Sequence, residues 1–205
     1  MRLLSLVCIS ICLLSINAQL DVDSLILATN QARTNPKFYA NLINAQYLSK
    51  GINGTANDTQ CYAEAVNVLN RQPVLPALTY NAAAALAIAK HIDYLVANNL
   101  FSHIGANNTN LGQRLDEIAT KSGNWTFNEN IAWTAGATSA QNFTTMWLHD
   151  CGVPLRGHRK NIFNTIIKNY GCYHIQGKCG CVGTTGYNLT QLAESQLDKY
   201  GLRKA

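Results

Sequence analysis

The stretch from Trp147 to Asn164, Trp-Leu-His-Asp-Cys-Gly-Val-Pro-Leu-Arg-Gly-His-Arg-Lys-Asn-Ile-Phe-Asn, constrains this chain more than any other. It sets two His, an Asp, two Arg and a Lys among apolar anchors, in a chain of which only 13% is charged. Charged side chains enter a folded interior only when paired. A dense mixture of this kind therefore reads either as a basic solvated loop or as a segment pinned to a core that aims polar groups at a cleft. Gly157, before His158, has backbone freedom closed to other residues and is expected to help aim that imidazole.

The compartment follows from the other end of the chain. Met1-Arg2 precede an apolar run from Leu3 to Ile16, broken only by Ser5, Ser10 and Ser15, and Asn17-Ala18 follow. A basic start, a short apolar core and a small residue at its end read as a secretory signal peptide over residues 1–18. The run is shorter than the roughly 20 residues that cross a bilayer, and no other stretch predicts a transmembrane anchor. Residues 19–205 then form a single domain, long enough to bury a core. The expectation is an extracellular, secreted protein. A net charge of +5 is mild, and basic residues cluster only at Arg156 to Lys160 and at Arg203-Lys204, so no nucleic-acid partner is expected.

Export makes disulfides expected. Cys8 and Cys12 leave with the leader; Cys61, Cys151, Cys172, Cys179 and Cys181 remain. An odd count predicts two bridges and one leftover thiol, with the pairing open. Cys179-Gly180-Cys181 is too tight for an easy mutual bridge. Zinc held by these cysteines is a weaker reading, because Cys-x-x-Cys spacing is absent. Asn53, Asn57, Asn107, Asn124, Asn142 and Asn188 each open an Asn-x-Ser/Thr sequon, the pattern of a glycoprotein with these sites on exposed loops.

Periodicity predicts helices over Asp21 to Arg33, Phe38 to Leu48, a turn or two from Cys61 to Leu69, Pro76 to Leu100, Leu111 to about Lys121, and Ser139 to His149. Asn81 is placed to cap the alanine-rich helix. Ser49 to Gln60 reads as a loop, and Ile131 to Trp133 as a short buried segment. Tyr170 to Ile175 and Cys181 to Thr185 read as strands joined by a turn at Gln176-Gly177-Lys178. From Tyr187 onward the chain reads as a short polar tail with a weak helix. His91 is expected to be an ordinary surface or satisfied imidazole, and His149 to sit at the surface.

The chemistry rests on His103, Glu129, Asp150 and His158. Two imidazoles and two carboxylates, brought together, bind a divalent cation, with the acids as ligands or as outer hydrogen-bond partners. They also serve as general acid and base near neutral pH. A hydrolase needs a nucleophile beside the base. Ser102 adjoins His103, but neighbours in sequence usually point apart, and no Gly-x-Ser-x-Gly or His-Glu-x-x-His occurs. No catalytic residue is assigned.

Five segments in order carry a family resemblance: Asn30-Gln31-Ala32-Arg33, Phe101-Ser102-His103, Glu129-Asn130-Ile131-Ala132, Trp147 with Asp150, and Gly157-His158-Arg159-Lys160-Asn161-Ile162. From Leu25 to Thr185 the chain resembles the CAP superfamily (the SCP domain of cysteine-rich secretory proteins, antigen 5 and plant pathogenesis-related proteins). The resemblance implies an α+β fold, a three-layer α-β-α sandwich with a small, mainly antiparallel sheet. It implies a cleft lined by His103, Glu129, Asp150 and His158, with zinc as the candidate cofactor. It also implies a lipid or sterol ligand or an extracellular protein partner. A secreted hydrolase or peptidase using the same residues is the alternative. Two departures stand out: Asn128 replaces the usual Gly before Glu129, and Asp150 is one methylene shorter than the usual Glu.

Overall fold

The computed structural model describes residues 22–48, 56–135 and 138–203. The predicted signal peptide and the side chains of Asn53 and Asn57 lie outside the described residues. The element order is α1 (Val22–Thr34), α2 (Pro36–Ile43), a π-turn (Asn44–Leu48), α3 (Ala56–Arg71), β1 (Thr79–Tyr80), α4 (Ala82–Ala97), α5 (Leu111–Asp116), β2 (Ala119–Trp133), α6 (Ala140–His149), α7 (Gly157–Ile162), β3 (Asn169–Ile175), β4 (Lys178–Leu189) and α8 (Gln191–Glu194).

The four strands form one sheet in the order β1-β3-β4-β2, with β1 parallel to β3 and the other pairs antiparallel. Two apolar cores lie on its two faces. One joins α1, α2, α3 and α6 to Tyr170, Cys172, Cys179 and Cys181 of the sheet. The other joins α4 and α5 to Tyr173, Val182 and Tyr187. The three-layer α-β-α sandwich with a mainly antiparallel sheet is therefore the fold. Among the described residues no helix is long and apolar enough to cross a membrane.

The alanines of α4 explain how close the layers come. Ala83, Ala84, Ala85, Ala87 and Ala89 are buried, and a Cβ added at Gly171 of β3 would overlap the backbone of Ala84 and Ala85. A helix of small side chains on a strand with no side chain lets the two backbones touch. Asn81 caps α4 as the sequence predicts, its side chain accepting from the Ala84 N–H at 2.8 Å. The β3–β4 hairpin turns through Gln176 (φ 50) and Gly177 (φ 74), the two positive-φ positions that match the twist of a tight hairpin.

Several boundaries move. The predicted loop over 49–60 gives way to helix from Ala56. The helix from Leu111 stops at Asp116, and β2 begins at Ala119, pairing with β4 across Trp133 to Ala119 with an irregularity between Lys121 and Thr126. The exposed run from Thr120 to Trp125 carries no alternation, so nothing in its pattern marks a strand. The residues from Tyr187 are not a polar tail: Tyr187 closes the second core within β4, and Ala193, Leu197 and Leu202 are buried against it.

Two disulfides form. Cys61–Cys151 ties α3 to the turn after α6, and Cys172–Cys181 joins directly opposed residues of β3 and β4. Cys179 is the leftover thiol, fully buried, and burial raises its pKa well above the usual thiol value. Of the described sequon residues, Asn107, Asn124, Asn142 and Asn188 are all exposed.

Candidate functional site

The site is assembled from two buried carboxylates, each holding one imidazole. Glu129, on β2, accepts from His103 Nδ1 at 2.7 Å through Oε1 and from Arg114 Nη2 at 2.8 Å through Oε2. The same Arg114 nitrogen donates to the His103 carbonyl at 3.2 Å, closing the group on itself. Asp150, just past α6, accepts from His158 Nδ1 at 2.6 Å through Oδ1. Its Oδ2 accepts the backbone N–H groups of His158 at 2.9 Å and Arg159 at 3.4 Å. The carboxylate side chains are 5% and 2% exposed, while the His103 and His158 side chains are 56% and 21% exposed, so each ring reaches from a buried anchor toward solvent.

This geometry fixes the tautomers. A carboxylate only accepts, so each ring donates from Nδ1, and in the neutral form of the ring the lone pair is on Nε2. That is the arrangement by which outer carboxylates orient metal-bound histidines and by which an imidazole is readied as a base. The lengths of the two acids suit this role: Asp150 needs to reach only an imidazole eight residues on in sequence, and the shorter side chain suffices.

Asn130 and Asn161 stitch the pairs together. Asn130 donates to the His158 carbonyl at 3.1 Å, and Asn161 donates to the Glu129 carbonyl at 3.0 Å and to Asn130 Oδ1 at 2.8 Å. Asn128, in the place of the usual Gly, donates to the Asn161 carbonyl at 3.2 Å, so the departure adds a seam between β2 and α7. The predicted quartet thus comes as two linked His–carboxylate pairs. Among the described residues no three or more His, Cys, Asp and Glu side chains gather as a metal-holding group. The two acids are committed to the Nδ1 atoms of their own rings, which leaves the two Nε2 atoms as the nitrogens not engaged by these carboxylates.

The other motif residues hold the frame. Arg33 of α1 is buried and donates to the carbonyls of Ile162 (2.5 Å), Asn164 (3.0 Å) and Pro76 (2.9 Å), capping the end of α7. Trp147 donates from Nε1 to the Ile131 carbonyl at 3.3 Å. Glu64 of α3 pairs with both Arg156 and Arg159. The strained backbone sits at Arg156 (φ 51) and Asp150 (φ 54), both left-handed, and not at Gly157, which takes an ordinary φ as the first residue of α7.

Sequence reading did not single out Arg114 or Glu64, which look like ordinary helix-surface charges. His149 is half-buried rather than at the surface: its ring packs on Tyr47 and Tyr62, with centroids 5.4 and 5.1 Å away, and burial lowers its pKa to about 4. His91 is buried at the edge of the first pair, its Nε2 donating to the Ser102 carbonyl at 2.8 Å. Burial, then the Arg114 charge, lowers its pKa, so it is neutral.

The α-β-α sandwich with its small, mainly antiparallel sheet is the architecture the sequence resemblance implied. Residues 28–192 match the Cysteine-rich secretory protein (CAP) family, and the chain belongs to it. No curated protein sequence matches it. Among solved structures it is similar to an extracellular protein containing a SCP domain from Bacillus anthracis, at 25% identity and a TM-score of 0.42, over 62% of this chain and 39% of that one. An outer surface protein from Borrelia burgdorferi matches at 17% identity and a TM-score of 0.42, over 67% of this chain and 96% of the other. A cysteine-rich secretory protein from Staphylococcus aureus matches at 14% identity and a TM-score of 0.40, over 65% and 39%. This chain thus corresponds to about two fifths of the Bacillus protein's length.

Proposed function

We propose that this CAP protein acts outside the cell as a binding module whose cleft takes up a divalent cation, zinc first, on His103 and His158. The reading is carried by one observation: a buried carboxylate grips Nδ1 of each ring, and Nε2 is left free to coordinate. Glu129 and Asp150 serve as the outer partners that orient and polarise the rings. A cation held there acts as a Lewis acid toward an oxygen-bearing ligand group. A lipid, a sterol or an extracellular protein is the candidate partner. Export is supported by family membership and by the leader-like residues 1–18.

The test is zinc titration of the purified chain by calorimetry. The wild type is expected to bind one equivalent, and His103→Ala or His158→Ala to lose most of that affinity. Equal uptake in both variants and the wild type removes the cation from this site. The same imidazoles, readied as bases, carry the hydrolase alternative. Turnover of ester or peptide panels that is abolished by either substitution, without zinc uptake, would favour it over the binding reading.

A further inference from the structure

Three cysteines, Cys172, Cys179 and Cys181, stand in the β3–β4 hairpin. Antiparallel pairing sets Cys172 opposite Cys181 and His174 opposite Cys179. Residues two apart on a strand share a face, so Cys179 and Cys181 point to the same side of β4. All three enter the apolar core beneath α1, α2, α3 and α6, and all three are fully buried. Cys172 and Cys181 are bridged, and Cys179 keeps its thiol. A nucleophilic group thus stands beside an electrophilic sulfur pair, and neither has a part in the cleft.

A thiolate exchanges with a disulfide it can reach. Two features of the folded protein hold that exchange off. Burial keeps Cys179 protonated, and burial also lowers the pKa of His174 across the strands, so no imidazolium there draws out a thiolate. The second guard is register. Diagonal positions of an antiparallel pair are about 7–8 Å apart at Cα, beyond the usual span of a bridge.

Both guards belong to the fold and not to the chain. Loop-closure entropy changes slowly with length. Cys172–Cys181 has a sequence separation of 9, and Cys172–Cys179 closes a slightly shorter loop. In an unfolded chain these two bridges are close in free energy, while Cys179-Gly180-Cys181 is too tight to compete. Only the native register selects Cys172–Cys181.

We infer that this hairpin is an internal disulfide switch, in which Cys179 is the nucleophile that exchanges with Cys172–Cys181 once the helical layer comes off the sheet. Cys179 gives its proton to solvent and its sulfur attacks Cys172 Sγ. The Cys172–Cys181 bond breaks, and the Cys181 sulfur leaves as a thiolate that takes a proton from solvent. One bridge and one thiol stand on each side of the step, so no outside oxidant or reductant is needed. The Cys172–Cys179 product ties the strands two residues out of register, and β4 cannot pair natively with β3 while it lasts. An opening of the core thereby becomes lasting, and the rate of opening sets the working life of the protein. The inference is independent of cation binding at His103 and His158.

The test holds the full chain unfolded in urea at pH 8.5 for times from seconds to hours, the range of disulfide reshuffling. Acid then stops the exchange, the free thiol is labelled, and the labelled peptide is located by mass. At the shortest time the label is expected on Cys179 alone. With time it should divide in roughly equal shares between Cys179 and Cys181, the two loops being alike in closure entropy, while the total stays at one thiol. The fraction that refolds on dilution into acid should fall in step. Cys179→Ala should refold to the same extent at every time. The labelling series needs no variant, so it decides the matter even if the alanine variant folds poorly. Label that stays on Cys179 overturns the switch, as does label that moves chiefly to Cys61 or Cys151. A folded Cys179→Ala that loses refolding on the wild-type time course also overturns it.

Discussion

Asp150 holds His158 twice, once by the ring and once by the backbone: Oδ1 lies 2.6 Å from Nδ1 and Oδ2 2.9 Å from the amide nitrogen. The residue ends α6 with its left-handed backbone, and its carboxylate starts α7 and makes Nδ1 the donor of the ring. Asp150→Ala leaves a buried amide and a ring proton without partners, so a loss of about 2–3 kcal/mol is expected. For a domain of this size that lowers Tm by roughly 4–12 °C. If the cation reading holds, zinc affinity falls a further 10–100-fold at temperatures where the variant stays folded, the usual effect of removing an outer partner. Scanning calorimetry gives the first figure and zinc titration the second. An unchanged Tm would mean that the backbone anchor carries no stability.

Acid should unfold this protein from pH 6.5 downward through its buried histidines. His149 has its pKa lowered to about 4, first by burial; Asp150 and Asp58 pull it up, and Arg156 and Arg159 push it down. Above pH 6.5 the ring is neutral in both folded and unfolded chains, and the shift has no effect on stability. As pH falls, the unfolded chain takes up a proton that the folded one refuses, and stability drops until about pH 4, by about 3 kcal/mol for this one residue. His91 and His174, also lowered by burial, add loss of the same sign. Urea midpoints measured from pH 7.5 to 4 should fall steadily in the wild type. They should fall less steeply in His149→Phe, even if that variant starts lower for want of the Cys151 N–H acceptor. Parallel slopes would remove His149 from the acid response.

Reading the sequence placed His103, Glu129, Asp150 and His158 together because five short motifs stood in family order, and the coordinates show why those motifs are where they are. Arg33, Trp147, Asn130 and Asn161 are the seams that join α1, β2, α6 and α7 around the two pairs. Arg114 left no trace in the sequence, since a helix charge that turns inward looks the same as one that turns out. β2 was missed for a related reason. Its half from Thr120 to Trp125 is exposed, and only pairing with β4 makes it a strand. Gly157 misled, because a glycine before a functional His suggests unusual backbone, while the left-handed residue is Arg156, held by Glu64 and the carbonyls of Asp150 and Val153.

The cysteines should behave unequally. Cys61–Cys151 closes a span of 90 residues and Cys172–Cys181 one of 9. In the chain-entropy account the longer loop is worth about 4–5 kcal/mol and the shorter about 2.5–3. Replacing Cys61 and Cys151 together by Ala should therefore lower the urea midpoint more than replacing the other pair. Cys179, fully buried with a raised thiol pKa, should resist a thiol reagent in the native protein and react as one equivalent after denaturation. Rapid native labelling would contradict the burial.

Three glycines separate backbone contact from side-chain contact. At Gly171 an added Cβ meets the backbone of α4, which cannot rotate away, so Gly171→Ala should cost about 3 kcal/mol or prevent folding. At Gly180 the added Cβ meets the tip of Ile88, which can change rotamer, and about 1–2 kcal/mol is expected. At Gly157 nothing lies within 4 Å and the φ is ordinary; an alanine there stiffens the unfolded chain and favours the helix, for a gain of up to about 1 kcal/mol. Denaturation midpoints should rank Gly157→Ala at or above wild type, then Gly180→Ala, then Gly171→Ala. If Gly157→Ala instead disrupts folding or zinc uptake, the backbone before His158 must visit conformations that the static α7 helix does not display.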